Sequence, residues 1–423
     1  MDESSTIAAV ATAPGRGGVA VVRVSGPEAF DIAATLTGRR VDAACAGRFF
    51  HAVLRHEGKV LDDGLVLVFA APASYTGEDV VEFQTHGGVV APRRVLDACL
   101  ACGARLACRG EFTQRAFLNG RLDISAAEAV IDLVDAKTDR AADDAVARLG
   151  GAAARADADL YAAALDISSR LEHALDFSED ELPPGYVEEG SADIGALGER
   201  IALEQKRLRE GKILREGALV VLAGPPNAGK SSLLNALLGE KRAIVSAEAG
   251  TTRDAIEEWL DVGGWPVRLV DTAGIRRAAN AVEAEGVDRA EELIARADLV
   301  VALDLDVPGA LRVHSKCDLA CGEGLNVSAV TGEGLDALKV EIAARLAARA
   351  ASGDEPQAEA SARRGELLGA AREALARAAE GLPDLVLAAN GARAAAESLG
   401  RLAGKVYADD LLDSLFSRFC IGK

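Results

Sequence analysis

Residues 218–238 read ALVVLAGPPNAGKSSLLNALL: an apolar run, a glycine-rich turn closing on Lys and Ser, and leucines at helical spacing. Strand, turn and helix in that order predict a P-loop. Main-chain N–H groups over Asn227, Ala228, Gly229, Lys230, Ser231 and Ser232, with a helix dipole behind them, suit phosphate oxygens. Lys230 is expected to reach the outer phosphates and to act catalytically, and the Ser231 hydroxyl to ligate magnesium. A glycine-rich turn that binds nothing is the bland alternative, and the flanking strand and helix weigh heavily against it. Around this stretch, apolar strands alternate with helices from Glu216 to Ala348, the signature of a parallel sheet covered by helices.

Further motifs follow in the order a G domain requires. Ser246, Ala247, Glu248, Ala249, Gly250, Thr251 and Thr252 make up a loop ending in GTTRD, where Thr252 is the expected second magnesium hydroxyl. A strand then leads into Asp271, Thr272, Ala273 and Gly274, the DTAG element expected to hold magnesium through water and to meet the γ-phosphate. The strand LVVALDLD is followed by Ser315, Lys316, Cys317 and Asp318. An aspartate there accepts two hydrogen bonds from a guanine edge, Lys316 stacks over the ring, and Ser328 and Ala329 fit the last base-contacting loop. The expected substrate is GTP rather than ATP.

Two features depart from the usual pattern. Ser315 stands where Asn is common, and its shorter side chain is expected to lose contacts that tie the base loop to the P-loop. Only four residues separate Asp306 from Leu311, far fewer than a helical crossover needs. One covering helix is therefore expected to be missing, or the strand order locally changed.

The whole chain has 423 residues, 49% hydrophobic and 27% charged, which points to two or three globular domains. Abundant alanine and only 4% aromatic residues favour helix-rich packing. The acidic start differs from a secretory signal, and no apolar run is long enough for a membrane helix, so a cytoplasmic protein is expected. Seven cysteines, an odd number, argue for reduced thiols; Cys99, Cys102 and Cys108 read as helix-face residues more readily than as a zinc site. A net charge of −19 opposes nonspecific attraction to nucleic acid, so an RNA substrate would need a local basic patch or a basic partner.

Residues 1–121 alternate β-rich runs with glycine turns and one helical stretch, an α+β domain. Residues 122–216 and 361–423 have helical spacing and form one discontinuous helical domain, into which the G domain, 217–350, is inserted. The fold class is thus α/β plus α+β, multidomain.

These motifs, together with PGRGG near the start, GED, HGG, the run RGEFTQRAFLNGRLDISAAEA (109–129) and the terminal FCIGK, closely resemble the MnmE family, also called TrmE. The resemblance spans nearly the whole chain. It implies a dimerising N-terminal domain of tetrahydrofolate-binding fold, a split helical domain and an inserted G domain. It implies GTP hydrolysis coupled to adding an aminomethyl or carboxymethylaminomethyl group at carbon 5 of the tRNA wobble uridine, with an FAD-dependent partner, MnmG (GidA), in a heterotetramer. The implied one-carbon donor is 5-formyltetrahydrofolate or a related methylene-tetrahydrofolate, met by Arg23, Glu82, Arg121 and Lys423; the family often has Lys in place of Arg121. Read without the family, Arg23 and Glu82 are ordinary strand residues.

Ile275 follows DTAG where many G domains place a water-orienting Gln, and the resemblance assigns that task to Glu283. No arginine finger is evident. The family places a potassium ion there, and Asn227, Ser246, Glu248 and Thr251 match its ligands. Cys420 is either a nucleophile near the folate or a buried helix-end thiol, with a slight lean to the site role. Two rival readings remain: an RNA-binding regulatory GTPase of the ribosome-assembly type, and a folate-dependent one-carbon transferase with a degenerate G domain.

Overall fold

The computed structural model describes residues 5–176, 182–239, 257–271, 292–352, 359–382, 384–403 and 422. The chain divides into two compact units: residues 1–131, 149–154 and 405–423, and residues 132–148 and 155–404.

The first unit is built on a six-stranded sheet. Its strands are β1 (Ile7–Val10), β2 (Val19–Ser25), β3 (Arg48–His56), β4 (Lys59–Phe69), β5 (Val80–His86) and β6 (Arg105–Leu106), in the order β3-β4-β5-β2-β1-β6. All pairings are antiparallel except β1 with β6. Alternation along the strands sends Val22, Val24, Val66, Val68, Val81 and Phe83 to one face. There they pack against α1 (Ala29–Thr37) and α2 (Val90–Ala101), whose buried positions recur at helical spacing. The opposite face carries a smaller cluster, Ile7, Ala9 and Phe112, the last from α3 (Glu111–Leu118). Beyond the expected strands and the expected helix near residue 93, the structure adds β1, β3, β6, α1 and α3. Cys99 is buried on the inner face of α2, and burial pushes its thiol up, out of the range of a reactive thiolate. Among the described residues, the sole group of three or more His, Cys, Asp or Glu side chains close enough to share a metal ion is Asp62, Asp63 and His86, with no cysteine in it.

The chain leaves the first unit within α4 (Ile124–Asp135), and the second unit contains α5 (Asp139–Leu149), α6 (Ala152–Ala174) for the most part, and α7 (Tyr186–Glu216). It continues with a second six-stranded sheet: β7 (Ala218–Ala223), β8 (Glu257–Val262), β9 (Trp265–Asp271), β10 (Leu299–Leu303), β11 (Leu311–His314) and β12 (Leu325–Asn326), in the order β12-β11-β10-β7-β9-β8. All neighbours are parallel except β8 with β9. Every residue of β7 is buried, as a central strand covered on both faces requires. Val220 and Leu222 face α8 (Lys230–Leu238) and α9 (Leu335–Ser352), while Leu219 and Val221 face Leu293, Ile294 and Ala297.

β10 and β11 pair in parallel although only seven residues join them, and the strand order is not altered. The covering helix is missing. Such a connection is possible because only three residues of each strand pair, Val301–Leu303 with Leu311–Val313, so the chain has little distance to retrace. The link from β11 to β12, residues 315–324, also lacks a helix, which the sequence reading did not anticipate.

α6, the first half of α7, α10 (Glu359–Gly381) and α11 (Leu385–Ala403) bury a helical core rich in Leu and Ala. The 31-residue α7 serves both cores: Ile194, Leu197 and Ile201 lie in the helical one, Ile213 and Leu214 in that of the sheet. Arg364 of α10 is clamped by Asp157 and Glu204, which ties the segments before and after the sheet together. Among the described residues no helix is long and apolar enough to cross a membrane.

Candidate functional site: a P-loop pocket and a strand-borne arginine cluster

β7 and β9 are parallel neighbours, so the loops leaving their carboxyl ends open at the same edge of the sheet. After β7 the chain turns through Gly224 (φ +157) and Asn227 (φ +64) to Gly229 (φ +85), which caps α8. The first N–H groups of α8 have no carbonyl partner within the helix, which suits them to an anion at this end. Lys230 is only 6% exposed, and its Nζ donates to the carbonyls of Gly224 at 2.7 Å and Pro225 at 2.9 Å. Phosphate oxygens are the stronger acceptors for that ammonium.

Ser231 Oγ donates to Asp271 Oδ2 at 2.5 Å. One residue opens α8 and the other ends β9, so 40 residues of sequence separate two hard oxygen ligands that the sheet brings into contact. This donor set fits magnesium. Ala228 is buried beneath the loop, and Ser232 is exposed on the first turn of α8.

The base-recognition loop is joined to the P-loop by Lys316, whose Nζ donates to the Asn227 carbonyl at 2.8 Å. Ser315 does not reach the P-loop; its Oγ turns the other way and donates to Asp304 Oδ2 at 2.7 Å. Asp318 accepts from the fully buried Ser328 Oγ at 2.6 Å, and Ser328 in turn accepts from the N–H groups of Val330 and Thr331. Half-buried Ala329 stands beside it. Ser231 with Asp271 and Asp318 with Ser328 are thus each in direct contact, Lys316 joins the base loop to the Asn227 carbonyl, and Lys230 is held on the Gly224 and Pro225 carbonyls.

In the first unit, Arg23 of β2 and Glu82 of β5 are cross-strand partners, with Arg23 Nε 2.7 Å from Glu82 Oε1. The guanidinium of Arg23 also lies 5.1 Å from the centroid of the Tyr75 ring and 5.5 Å from that of Phe112. Burial pushes the Tyr75 phenol up, a trend that Thr113 and Arg23 oppose. Behind this platform is an ion network. Arg115 (7% exposed) contacts Glu78 and Glu111, and Arg105 contacts Glu111. Burial alone would raise the Glu111 carboxyl, but bonds from Arg105, the Cys108 N–H and Arg115 hold it below the usual range.

The family model described as GTP-binding protein TrmE N-terminus matches residues 6–121, and that of the MnmE helical domain matches 124–420. The tRNA modification GTPase MnmE of Symbiobacterium thermophilum is 45% identical over 463 aligned positions, covering 99% of both chains. The proteins of the same name from Rhodospirillum rubrum and Neisseria gonorrhoeae are 43% and 42% identical, covering at least 99% of each chain. This chain belongs to the MnmE family.

Within the MnmE pattern, Arg121 follows α3, with its Cγ close to where a side chain on Gly77 would lie, beside the Tyr75–Thr76 segment. Gly422 of the terminal Cys-Ile-Gly-Lys is buried against the end of β1: a Cβ there would lie 2.4 Å from the Val10 carbonyl, and its φ of +102 suits only glycine. Lys423 and Cys420 themselves lie outside the described residues, as do Ser246–Thr252, Thr272–Gly274, Ile275 and Glu283. The sequence reading did not single out Tyr75, Phe112, Asp304 or His314. A signal existed for Phe112, inside the RGEFTQRAFLNG run; none existed for the other three.

Proposed function

We propose that this chain is a potassium-stimulated GTPase of tRNA modification. With an FAD-dependent MnmG partner in a heterotetramer, it adds an aminomethyl or carboxymethylaminomethyl group to carbon 5 of the wobble uridine. The observation that carries the reading is the contact of Ser231 with Asp271 beside the buried Lys230, where the carboxyl ends of β7 and β9 meet. The names borne by relatives 42–45% identical over their full length support it.

Lys230 neutralises and orients the outer phosphates, Asp318 and Ser328 set the guanine edge, and Glu283 orients the attacking water. Ser231 and Thr252 would hold magnesium, which when bound offsets charge on the β and γ phosphates. Asn227, Ser246, Glu248 and Thr251 are the proposed potassium ligands; the Asn227 backbone at φ +64, braced by Lys316, supports its part.

Arg23, Glu82, Arg121 and Lys423 are proposed to bind 5-formyltetrahydrofolate or a methylene relative, with Cys420 near it. The guanidinium suits an anionic or carbonyl-bearing pterin edge, and Glu82 suits its N–H donors. A homodimer through the N-terminal domain is part of the same reading. The Arg23–Glu82 row continues across the sheet to Leu67 and Phe49, the latter 71% exposed on the outer face. A cytoplasmic location and the division into 1–121, 122–216 with 361–423, and 217–350 complete the proposal.

The test is GTP hydrolysis in potassium against sodium at equal ionic strength, followed by wobble-uridine analysis of tRNA from cells relying on this chain. A large potassium advantage and restored modification are expected. Equal rates in the two salts would remove the potassium site, and unmodified tRNA with intact GTPase activity would favour a regulatory switch.

A further inference from the structure

The shortened connections of the second sheet leave the base-recognition loop without helices on either side of β11, yet the loop is tightly held. Asp304, the first residue after β10, adopts φ +50, and its N–H donates to the Val313 carbonyl at 3.0 Å. A non-glycine residue in this region is held there by its surroundings. Its carboxylate is shared: Oδ2 accepts from Ser315 Oγ and Oδ1 lies on His314 Nδ1, both at 2.7 Å. On the other side of the imidazole, Nε2 lies 3.0 Å from the Ala320 carbonyl, beyond Asp318 in the chain. The ring packs flat on Gly322, where a Cβ would come within 2.5 Å of it. The His314 carbonyl also accepts from the Val327 N–H, one residue before Ser328.

Asp304 and His314 therefore bridge the end of β10, the start of the Ser315–Asp318 loop, its far end at Ala320 and the strand leading to Ser328. Neither side chain hydrogen-bonds to the P-loop; among the described residues of the loop it is Lys316 that does so. We propose that Asp304 and His314 are positioning residues for guanine nucleotide, a clamp acting through Ser315 and Lys316 in place of the Asn tie and the missing crossover helix. This rests on the GTP reading above. The clamp sets how well the base is gripped and leaves the phosphate chemistry alone, so its loss appears in affinity and KM rather than in kcat.

The experiment measures binding of a fluorescent GDP analogue and steady-state GTP hydrolysis for the full chain, Asp304→Ala, His314→Ala and the double variant Asp304→Ala with Ser315→Asn. Each single variant is expected to weaken GDP binding and raise KM about 10- to 100-fold, the range for losing hydrogen bonds to a charged group, with kcat at saturation unchanged within about twofold. The Asn of the usual pattern is expected to recover most of the loss, which a merely destabilised loop would not allow. Unchanged GDP affinity, a fall in kcat alone, or no recovery in the double variant would overturn the clamp. Should Asp304→Ala fail to fold, Asp304→Asn keeps the shape, removes one acceptor and carries the same expectation. Failure of the unaltered chain to bind GDP would overturn the GTP reading and the clamp with it, an outcome distinct from binding that the variants leave unchanged.

Discussion

The nucleotide pocket and the Arg23 cluster assemble in opposite ways. The pocket gathers its groups from loops at the carboxyl ends of parallel strands and from the first turn of α8, so backbone N–H groups and short side chains do much of the work. The Arg23 cluster takes its groups from within antiparallel strands, where partners 59 residues apart meet by register. A loop site depends on local spacing and leaves a motif. A strand-borne site depends on pairing, and each partner by itself looks like any strand residue. The second kind also needs support from behind, which the Arg105–Glu111–Arg115–Glu78 network supplies.

The largest effect should come from that support. Arg115→Met leaves Glu111 and Glu78 with an incomplete set of partners and is expected to destabilise the first unit by about 3–5 kcal/mol. Thermal unfolding measured alongside GDP binding checks it, and parallel loss of GDP binding would break the contrast between the two sites.

Lys230→Ala tests the other side of the comparison. It should lower GTP turnover by about 10²- to 10³-fold, as for removal of one preorganised electrostatic group, with little change in thermal unfolding. A fall of less than about fivefold would mean that the lysine is held by Gly224 and Pro225 for structure alone.

The smallest effect concerns the exposed end of the first sheet. Hydrogen bonding and charge attraction from Asp62 raise His86, while for Asp62 the bonds from the His86 ring and main-chain N–H outweigh the upward push of burial and lower it. A raised His stabilises fully below its ordinary 6.5, and this is lost as pH rises through the folded value; a lowered Asp stabilises above its ordinary 3.8, and this is lost as pH falls. The pair therefore contributes most between these two values. His86→Ala should lower the stability of the first unit inside that window relative to pH values above and below it in pH-dependent thermal unfolding, and an unchanged profile would remove the pair from the account.

The linear pattern alone carried the P-loop, Asp271, Asp318 and Ser328, because each sits at a fixed offset from a strand end, and it showed that the short 306–311 stretch has no room for a crossover helix unless the strand order changes; the parallel pairing of β10 with β11 decided between the two. It also indicated the α+β character of the N-terminal region, though not β3, α1 or α3, nor β1, whose consecutive buried residues hide the alternation of a strand, nor β6, which pairs over only two residues. Only the tertiary structure decided that Ser315 turns to Asp304 while Lys316 makes the tie to Asn227, that Tyr75 and Phe112 flank Arg23, and that Glu111 is satisfied by two arginines. Those contacts depend on strand register and on which of several possible acceptors lies nearest after folding, and neither quantity is encoded by the spacing of residues along the chain.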